Sequence, residues 1–252
     1  MRKASGIGRL VAAASGTLAL ALHLLYSLGS GGAALPNFFS YFTMQSAIVA
    51  VILWSIGGLV ALRSATDPSW LGTARLLVTT YQLVSGVVYT IIVAEAVAQG
   101  ISIQVPLSSQ VLHYWMPAYA LLDWLITTGR PRVPWGSLGF ALVFPLAWGA
   151  FTMIRGSLLG WYPYFFLDPY LVSGPQEFAA YSLTVLAFIV VIAALLILVD
   201  RLVPQRPPSV QVDRSARTER LEAASRSLDD LIVTQLGERG RPLTADEAHQ
   251  NR

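Results

Sequence analysis

The 252-residue chain contains no cysteine, which excludes a disulfide bond, a zinc thiolate site and a thiol nucleophile. Charge is scarce too: Lys, Arg, Asp and Glu make up 12% of the chain, and more than half of them lie from Asp200 onward. No basic run interleaved with aromatic residues indicates a nucleic-acid partner. His, Asp and Glu form no compact cluster, and we expect neither a metal nor another cofactor. An apolar fraction of 54% is too high for an ordinary soluble domain.

Six apolar segments are long enough to cross a bilayer. We place them at about residues 7–28, 38–62, 76–97, 111–127, 135–154 and 178–199. The first could be a signal peptide, but its apolar core is longer than such a segment requires, which favours a retained helix. The sequence therefore predicts an all-α fold, a polytopic membrane bundle of six transmembrane helices formed by residues 1–203.

Residues 204–252 form a separate tail. A proline-rich linker comes first, and an amphipathic helix is predicted over residues 212–238 because Leu221, Leu228, Ile232 and Leu236 recur at helical spacing. The final residues have the composition of a disordered segment. A solvated or membrane-surface helix is the favoured interpretation, because the apolar repeat is short for a coiled coil. A coiled-coil or docking helix is the alternative, and the partner of this helix stays open.

Positive charge alternates between the connections of the six segments. Most of the Lys and Arg residues fall on one side: Arg2, Lys3, Arg9, Arg63, Arg75, Arg130, Arg132, Arg201 and Arg206. The connections on the other side contain only Arg155. By the positive-inside rule, both termini and the tail are expected in the cytoplasm.

Several polar side chains are predicted at a similar depth near the outer ends of the segments. At a rise of 1.5 Å per residue, His23, Thr43 and His113 each lie roughly 7 Å below the outer boundary. Glu95 and Arg155 lie near the rim. A hydroxyl, two imidazoles, a carboxylate and a guanidinium are the parts of a hydrolytic site, although equal depth does not show that the helices are neighbours.

Each of these residues also has a purely structural interpretation. A lone intramembrane threonine such as Thr43 most often bonds back to a carbonyl of its own helix. His23 could be a packed, hydrogen-bonded histidine, Glu95 could face water at a helix end, and Arg155 could contact a lipid headgroup or Asp168.

Other polar residues are harder to assign. Gln82, Ser85 and Tyr89 share a face of the third segment, where Gly86 permits close approach, and they form either a helix contact or a cavity wall. Asp123 lies deeper, and we interpret it as a structural partner of Arg75 or Arg130. The aromatic run 160–169 is either a lid over the outer mouth of the bundle or an interfacial anchor.

Several motifs together resemble the bacterial branch of the androgen-induced-gene family of six-helix integral membrane proteins. They are Tyr41-Phe-Thr-Met-Gln-Ser46, His113-Tyr-Trp-Met-Pro117, Asp123-Trp124, Ile154-Arg-Gly156 and Gly160-Trp-Tyr-Pro-Tyr-Phe-Phe-Leu-Asp168. The resemblance covers residues 7–203. Animal members are transmembrane threonine hydrolases that cleave fatty acid esters of hydroxy fatty acids. The resemblance implies Thr43 and His113 as the threonine and histidine, and a location in the bacterial plasma membrane.

The sequence and the resemblance together predict an intramembrane hydrolase of lipid esters, with membrane lipids and the ester as its partners. Thr43 would be the nucleophile and His113 its general base. The imidazole could be oriented by Asn37, Gln45 or Glu95, and the oxyanion could be stabilised by Gln82, Tyr89 or Arg155. The alternatives are a non-catalytic lipid-binding or scaffold protein and a small-molecule transporter. The nearly apolar inner half of the predicted bundle weighs against a transporter.

Overall fold

The computed structural model describes residues 2–29, 34–102, 104–127, 132–202, 218–219 and 221–228. It divides the chain into two compact units, Met1–Pro208 and Ser209–Arg252. The described part of the first unit contains eight α-helices: α1 (Arg2–Gly29), α2 (Leu35–Ser40), α3 (Phe42–Arg63), α4 (Ser69–Ala98), α5 (Leu107–Gln110), α6 (Met116–Ile126), α7 (Ser137–Leu159) and α8 (Pro175–Leu202). No described residue is in a β-strand, so the predicted all-α fold is confirmed.

Five of these helices, α1, α3, α4, α7 and α8, are long and apolar enough to cross a membrane. The fourth predicted segment is also helical, but it consists of a π-helical turn (Val111–Trp115) and α6, and a further short piece, α5, directly precedes it. None of the three pieces reaches membrane length alone. The chain therefore has several helices able to span a membrane, and the count of six stays a prediction.

The second predicted segment is interrupted near its start. Tyr41 has an extended backbone (φ −68°, ψ 135°) and separates α2 from α3. The sequence pattern had indicated one helix from residue 38, with Thr43 five residues inside it. The structure instead makes Thr43 the second residue of α3, which changes what surrounds its hydroxyl and its amide.

Small residues bring α1 and α3 into close contact. An added Cβ atom on Gly6 would lie 3.0 Å from the carbonyl oxygen of Gly58, and an added Cβ on Gly58 would lie 3.0 Å from the carbonyl oxygen of Gly6. Lipid tails are as apolar as the helix surfaces, so the hydrophobic effect contributes little to helix association in a membrane. Close backbone contacts of this kind allow van der Waals packing to hold the two helices together.

A buried charged network joins α1, α4 and α6. The Arg9 Nε donates to Asp123 Oδ1 at 3.1 Å, and the Arg75 Nη2 donates to Asp123 Oδ2 at 2.8 Å. Asp67 extends the network, because its Oδ2 lies 3.6 Å from Arg75 Nη1 and its Oδ1 lies 2.6 Å from Arg2 Nη2. The attraction between opposite charges and the hydrogen bonds within the network offset the cost of removing these groups from water.

This network corrects two interpretations of the sequence. Arg9 and Arg75 are not loop cations, because they lie inside α1 and α4 and are 1% and 4% exposed. The region around them is also not nearly apolar, so that argument against a transporter is wrong. Asp123 does pair with Arg75, as the sequence suggested, and the alternative partner Arg130 lies outside the described residues.

The described residues of the second unit, 218–219 and 221–228, are helical and exposed. Leu221 is 64% exposed and Leu228 is 60% exposed, and Glu222 forms an exposed ion pair with Arg226 at 3.9 Å. The remainder of the amphipathic helix predicted over 212–238 lies outside the described residues, as do the predicted linker and the final segment.

Candidate active site

A cavity of about 600 Å³ lies within the first unit. Its wall is formed by residues of α1, α2, α3, α4, α5, the π-helical turn, α7 and α8, and by the connection between α7 and α8. Its volume is in the range of small-molecule sites, roughly 300–1,000 Å³. Side chains such as Val88, Ile92, Met153 and Leu186 make much of the wall apolar. The polar side chains in the wall include His23, Tyr41, Thr43, Ser85, Tyr89, Ser109, His113 and Tyr164.

Thr43 lines this cavity from the first turn of α3. Its Oγ1 lies 2.7 Å from the Ser85 Oγ of α4, and the residue is 6% exposed. Other threonines bond back to their own helix, as Thr90 does to the Gly86 carbonyl. Thr43 is held differently, because a hydroxyl of a neighbouring helix is its partner.

His113 lies in the π-helical turn that precedes α6. Its Nδ1 lies 2.9 Å from the Ser109 carbonyl oxygen. A carbonyl can only accept a hydrogen bond, so Nδ1 carries the proton and Nε2 of the neutral imidazole keeps its lone pair. The resulting tautomer is the one that a general base requires.

Tyr89 and Ser109 fix the plane of the His113 ring. The Tyr89 ring stacks on the imidazole, with the centroids 3.7 Å apart and the planes at 16°. Ser109 Oγ lies 3.3 Å from His113 Nδ1 and donates to the Tyr89 hydroxyl at 3.0 Å. The imidazole is therefore oriented by a serine one helical turn away and by an aromatic ring on α4.

The π-helical turn follows from a proline. Pro117 has no backbone N–H and so cannot donate to the His113 carbonyl, as a residue four positions later would in a regular α-helix. The Met116 amide instead donates to the Val111 carbonyl, five residues back. Turns of this kind occur frequently at functional sites.

A glycine allows α4 to approach this turn. An added Cβ on Gly86 would lie 2.7 Å from the His113 carbonyl oxygen and 3.1 Å from Pro117. Real Cβ atoms essentially never make contacts under 3.0 Å, so only glycine fits here. Gly86 thus brings the α4 side chains Ser85 and Tyr89 to the same wall as His113.

Tyr164 completes the surroundings of Thr43. It lies in the connection between α7 and α8, and its hydroxyl interacts with Thr43 and with the backbone of Phe42. Burial raises the pKa of Tyr164 to about 12, and this effect outweighs the interactions with Thr43 and Phe42, which lower it. The phenol is therefore neutral at physiological pH.

The structure brings His23, Thr43, Tyr89 and His113 to one cavity. His23 Nδ1 lies 3.2 Å from Ser108 Oγ, and the His23 ring packs on Phe38 with centroids 5.9 Å apart. No hydrogen bond joins Thr43 to His113 within the described structure. The Thr43 hydroxyl is bonded to Ser85, and the His113 ring is bonded to the Ser109 carbonyl.

The other candidates are not in the cavity wall. Asn37 Oδ1 accepts from Arg155 Nη2 at 2.5 Å, and that guanidinium also lies over the Trp161 ring, 5.1 Å from its centroid. Gln45 donates to the Phe39 carbonyl at 3.0 Å. Asn37, Gln45 and Arg155 are thus engaged elsewhere, and Ser109 has the position that orients the imidazole.

Gln82 and Glu95 lie outside the cavity wall as well. Gln82 is buried beside Ser46, with 3.5 Å between its Nε2 and the serine Oγ. Glu95 is exposed, and its Oε1 accepts from Gln99 at 3.5 Å. Neither forms a hydrogen bond with His113 in the described structure.

Sequence reasoning did not single out Ser109 or assign a role to Tyr164. The spacing of Ser109 and His113, four residues apart in a helical segment, was a readable signal for the first. For Tyr164 the only signal was its place in the aromatic run 160–169. That run does contribute to the cavity wall, through Pro163, Tyr164, Phe166 and Leu167.

Comparison of the chain with protein-family models, with curated proteins and with solved structures finds no match.

Proposed function

We propose that this protein is an intramembrane hydrolase of lipid esters, with Thr43 as the nucleophile and His113 as the general base. One observation carries the proposal. A threonine hydroxyl and a neutral imidazole with a free Nε2 lone pair share one largely apolar cavity of about 600 Å³. The resemblance of the motifs around both residues to membrane threonine hydrolases supports the same assignment.

The chemistry needs two half-reactions. His113 Nε2 takes the Thr43 proton while Oγ1 attacks the ester carbonyl carbon, and the imidazolium then returns the proton to the departing alcohol. Water then gives a proton to the same imidazole and attacks the acyl-threonine carbonyl carbon. The bond from that carbon to Thr43 Oγ1 breaks, the imidazolium returns the proton to Oγ1, and the carboxylic acid leaves. Thr43 must exchange its bond to Ser85 for one to His113 when the ester binds, which is common because catalytic hydrogen bonds often form only in the substrate complex.

The apolar wall accounts for a lipid substrate. Aliphatic side chains of α4, α7 and α8 can pack on an acyl chain and replace its contacts with the bilayer. We place the cavity near the outer face of a bacterial plasma membrane, with both termini in the cytoplasm, on the basis of the charge bias of the connections.

A non-catalytic lipid-binding protein is the second candidate, because the same apolar wall would bind a lipid without reaction. A transporter is less well supported. Arg9 and Arg75 both donate to Asp123, and none of these three residues lines the cavity.

Hydrolysis of p-nitrophenyl octanoate by the purified protein in detergent tests the proposal. Thr43→Ala and His113→Ala should each abolish turnover, and their effects should not add, because the pair acts as a unit. Thr43→Ser should retain part of the activity. Thr90→Ala is the matched control, since it removes a threonine hydroxyl that only bonds back to its own helix. Full activity in a folded Thr43→Ala protein would refute the assignment.

A further inference from the structure

The proposed reaction needs a hydrogen-bond donor for the tetrahedral oxyanion, and none of the donors expected from the sequence is well placed. Gln82 and Arg155 do not line the cavity. Tyr89 does, but its hydroxyl accepts from Ser109 and its ring is stacked on the imidazole. The donor has to be sought close to Thr43, because the oxyanion forms on the carbon that Oγ1 attacks.

Tyr164 meets this geometric requirement. Tyr164 and Thr43 line the same cavity, and the Tyr164 ring contacts Tyr41, the residue that directly precedes α3. The Tyr164 hydroxyl also interacts with Thr43 and with the backbone of Phe42, and both residues belong to the first turn of α3.

The protonation state of Tyr164 allows it to act as a donor. Its raised pKa keeps the phenol neutral at physiological pH, so the side chain carries one O–H that can donate a hydrogen bond. This O–H lies in the same cavity wall as the hydroxyl that attacks the ester.

The ring of Tyr164 is held by aromatic neighbours rather than by its hydroxyl alone. It stacks on Phe166 with centroids 5.3 Å apart, and it makes edge contacts with Tyr41 at 5.8 Å and with Trp148 at 5.9 Å. A donor fixed before the reaction is more effective than one that must reorganise, because its dipole already points to the developing charge.

We propose that Tyr164 is a catalytic residue whose O–H donates a hydrogen bond to the oxyanion formed when Thr43 attacks the ester. This inference rests on the proposed function and adds a residue to it. The ester C=O π bond breaks, its electron pair moves to the carbonyl oxygen, and that oxygen accepts the hydrogen bond from Tyr164. The phenol proton stays on Tyr164 throughout, and the electron pair returns to rebuild the carbonyl when the alcohol leaves.

The test compares Tyr164→Phe with the wild type on p-nitrophenyl octanoate and on the corresponding thionoester. Loss of one oxyanion donor should lower kcat by roughly 100-fold or more with little change in KM. Sulfur accepts hydrogen bonds poorly, so the ratio of the oxoester to the thionoester rate should also fall. A residue that only anchors the loop would lower both rates together and leave this ratio unchanged.

Tyr162→Phe is the matched control, because Tyr162 is in the same connection but does not line the cavity. It should retain wild-type kcat and the wild-type ratio. Monofluorotyrosine at position 164 keeps the hydroxyl and the ring, and its more acidic O–H should raise the ratio. An unchanged ratio with this analogue would overturn the proposal even if Tyr164→Phe did not fold.

The outcomes separate the two proposals. If the wild type hydrolyses neither ester, the proposed function fails. If the wild type hydrolyses the oxoester and folded Tyr164→Phe keeps the wild-type kcat and ratio, only the role of Tyr164 fails.

Discussion

Replacing Gly86 with alanine should disturb the active site by moving a helix. The new Cβ would lie 2.7 Å from the His113 carbonyl oxygen, whereas ordinary contact begins at 3.4 Å. The carbonyl oxygen belongs to the backbone and cannot turn aside as a side chain could. Helix α4 and the π-helical turn must therefore separate by about 0.7 Å. The stack of Tyr89 on His113 joins the same two segments and should loosen with them.

Two effects of opposite sign determine the stability of Gly86→Ala. Overpacking costs roughly 1–3 kcal/mol, whereas alanine is favoured over glycine within a helix by about 1 kcal/mol. We expect a net loss of up to about 2 kcal/mol. The effect on activity should be larger, because a displacement of ~1 Å in a catalytic geometry can lower the rate about 100-fold.

Thermal unfolding in detergent and hydrolysis of p-nitrophenyl octanoate would measure both effects. Gly139→Ala in α7 is the control, since a Cβ there meets nothing within 4 Å. It should leave activity unchanged and stability unchanged or slightly increased. If Gly86→Ala behaves like Gly139→Ala in both assays, the close contact between α4 and His113 does not position the imidazole.

Three further predictions concern stability and topology. Asp123→Asn should lower the free energy of unfolding by roughly 3–5 kcal/mol because it leaves two buried guanidinium groups short of charge, whereas Glu95→Gln at an exposed site should change it by less than about 0.5 kcal/mol; equal effects would contradict the network. Tyr164 keeps its proton to about pH 12 when folded but loses it near pH 10.0 when unfolded, so stability should fall as pH rises through this window, and the melting temperature of Tyr164→Phe should fall less steeply. In a chain without native cysteine, a cysteine at Ser157 should react with a membrane-impermeant thiol reagent in intact cells and one at Ser64 should not; the opposite pattern would invert the proposed topology.

Depth along a helix was the property by which the sequence grouped the candidate residues. Counting residues from the ends of the apolar segments put His23, Thr43 and His113 at one expected level, and all three lie in the wall of one cavity. Helical rise is constant, so a position in the sequence converts into an expected height, and the depth in the membrane stays a prediction.

Rotation and local breaks could not be predicted in the same way. Glu95 and Arg155 were expected near the same level, but Glu95 is exposed and Arg155 bonds to Asn37 instead of facing the cavity. The break at Tyr41 carries no proline or glycine signal at that position, and the approach of Tyr164 to Thr43 depends on how a long connection folds back over the bundle.

Charged residues near helix ends were ambiguous for a related reason. Arg9 and Arg75 have the spacing of cytoplasmic loop cations, and only the packing of α1, α4 and α6 around Asp123 shows that they are buried partners. A sequence records the charge of such a residue but not the direction of its side chain.

The most direct test of Thr43 as the nucleophile is to locate a covalent adduct. The wild-type protein in detergent would be treated with a fluorophosphonate, digested and analysed by mass spectrometry, with Thr43→Ala and His113→Ala treated in parallel. We predict one adduct on Thr43, no adduct in Thr43→Ala and strongly slowed labelling in His113→Ala, because the hydroxyl needs the imidazole to lose its proton. An adduct on Ser85, whose Oγ lies 2.7 Å from Thr43 Oγ1, or labelling that persists in Thr43→Ala, would contradict Thr43 as the nucleophile.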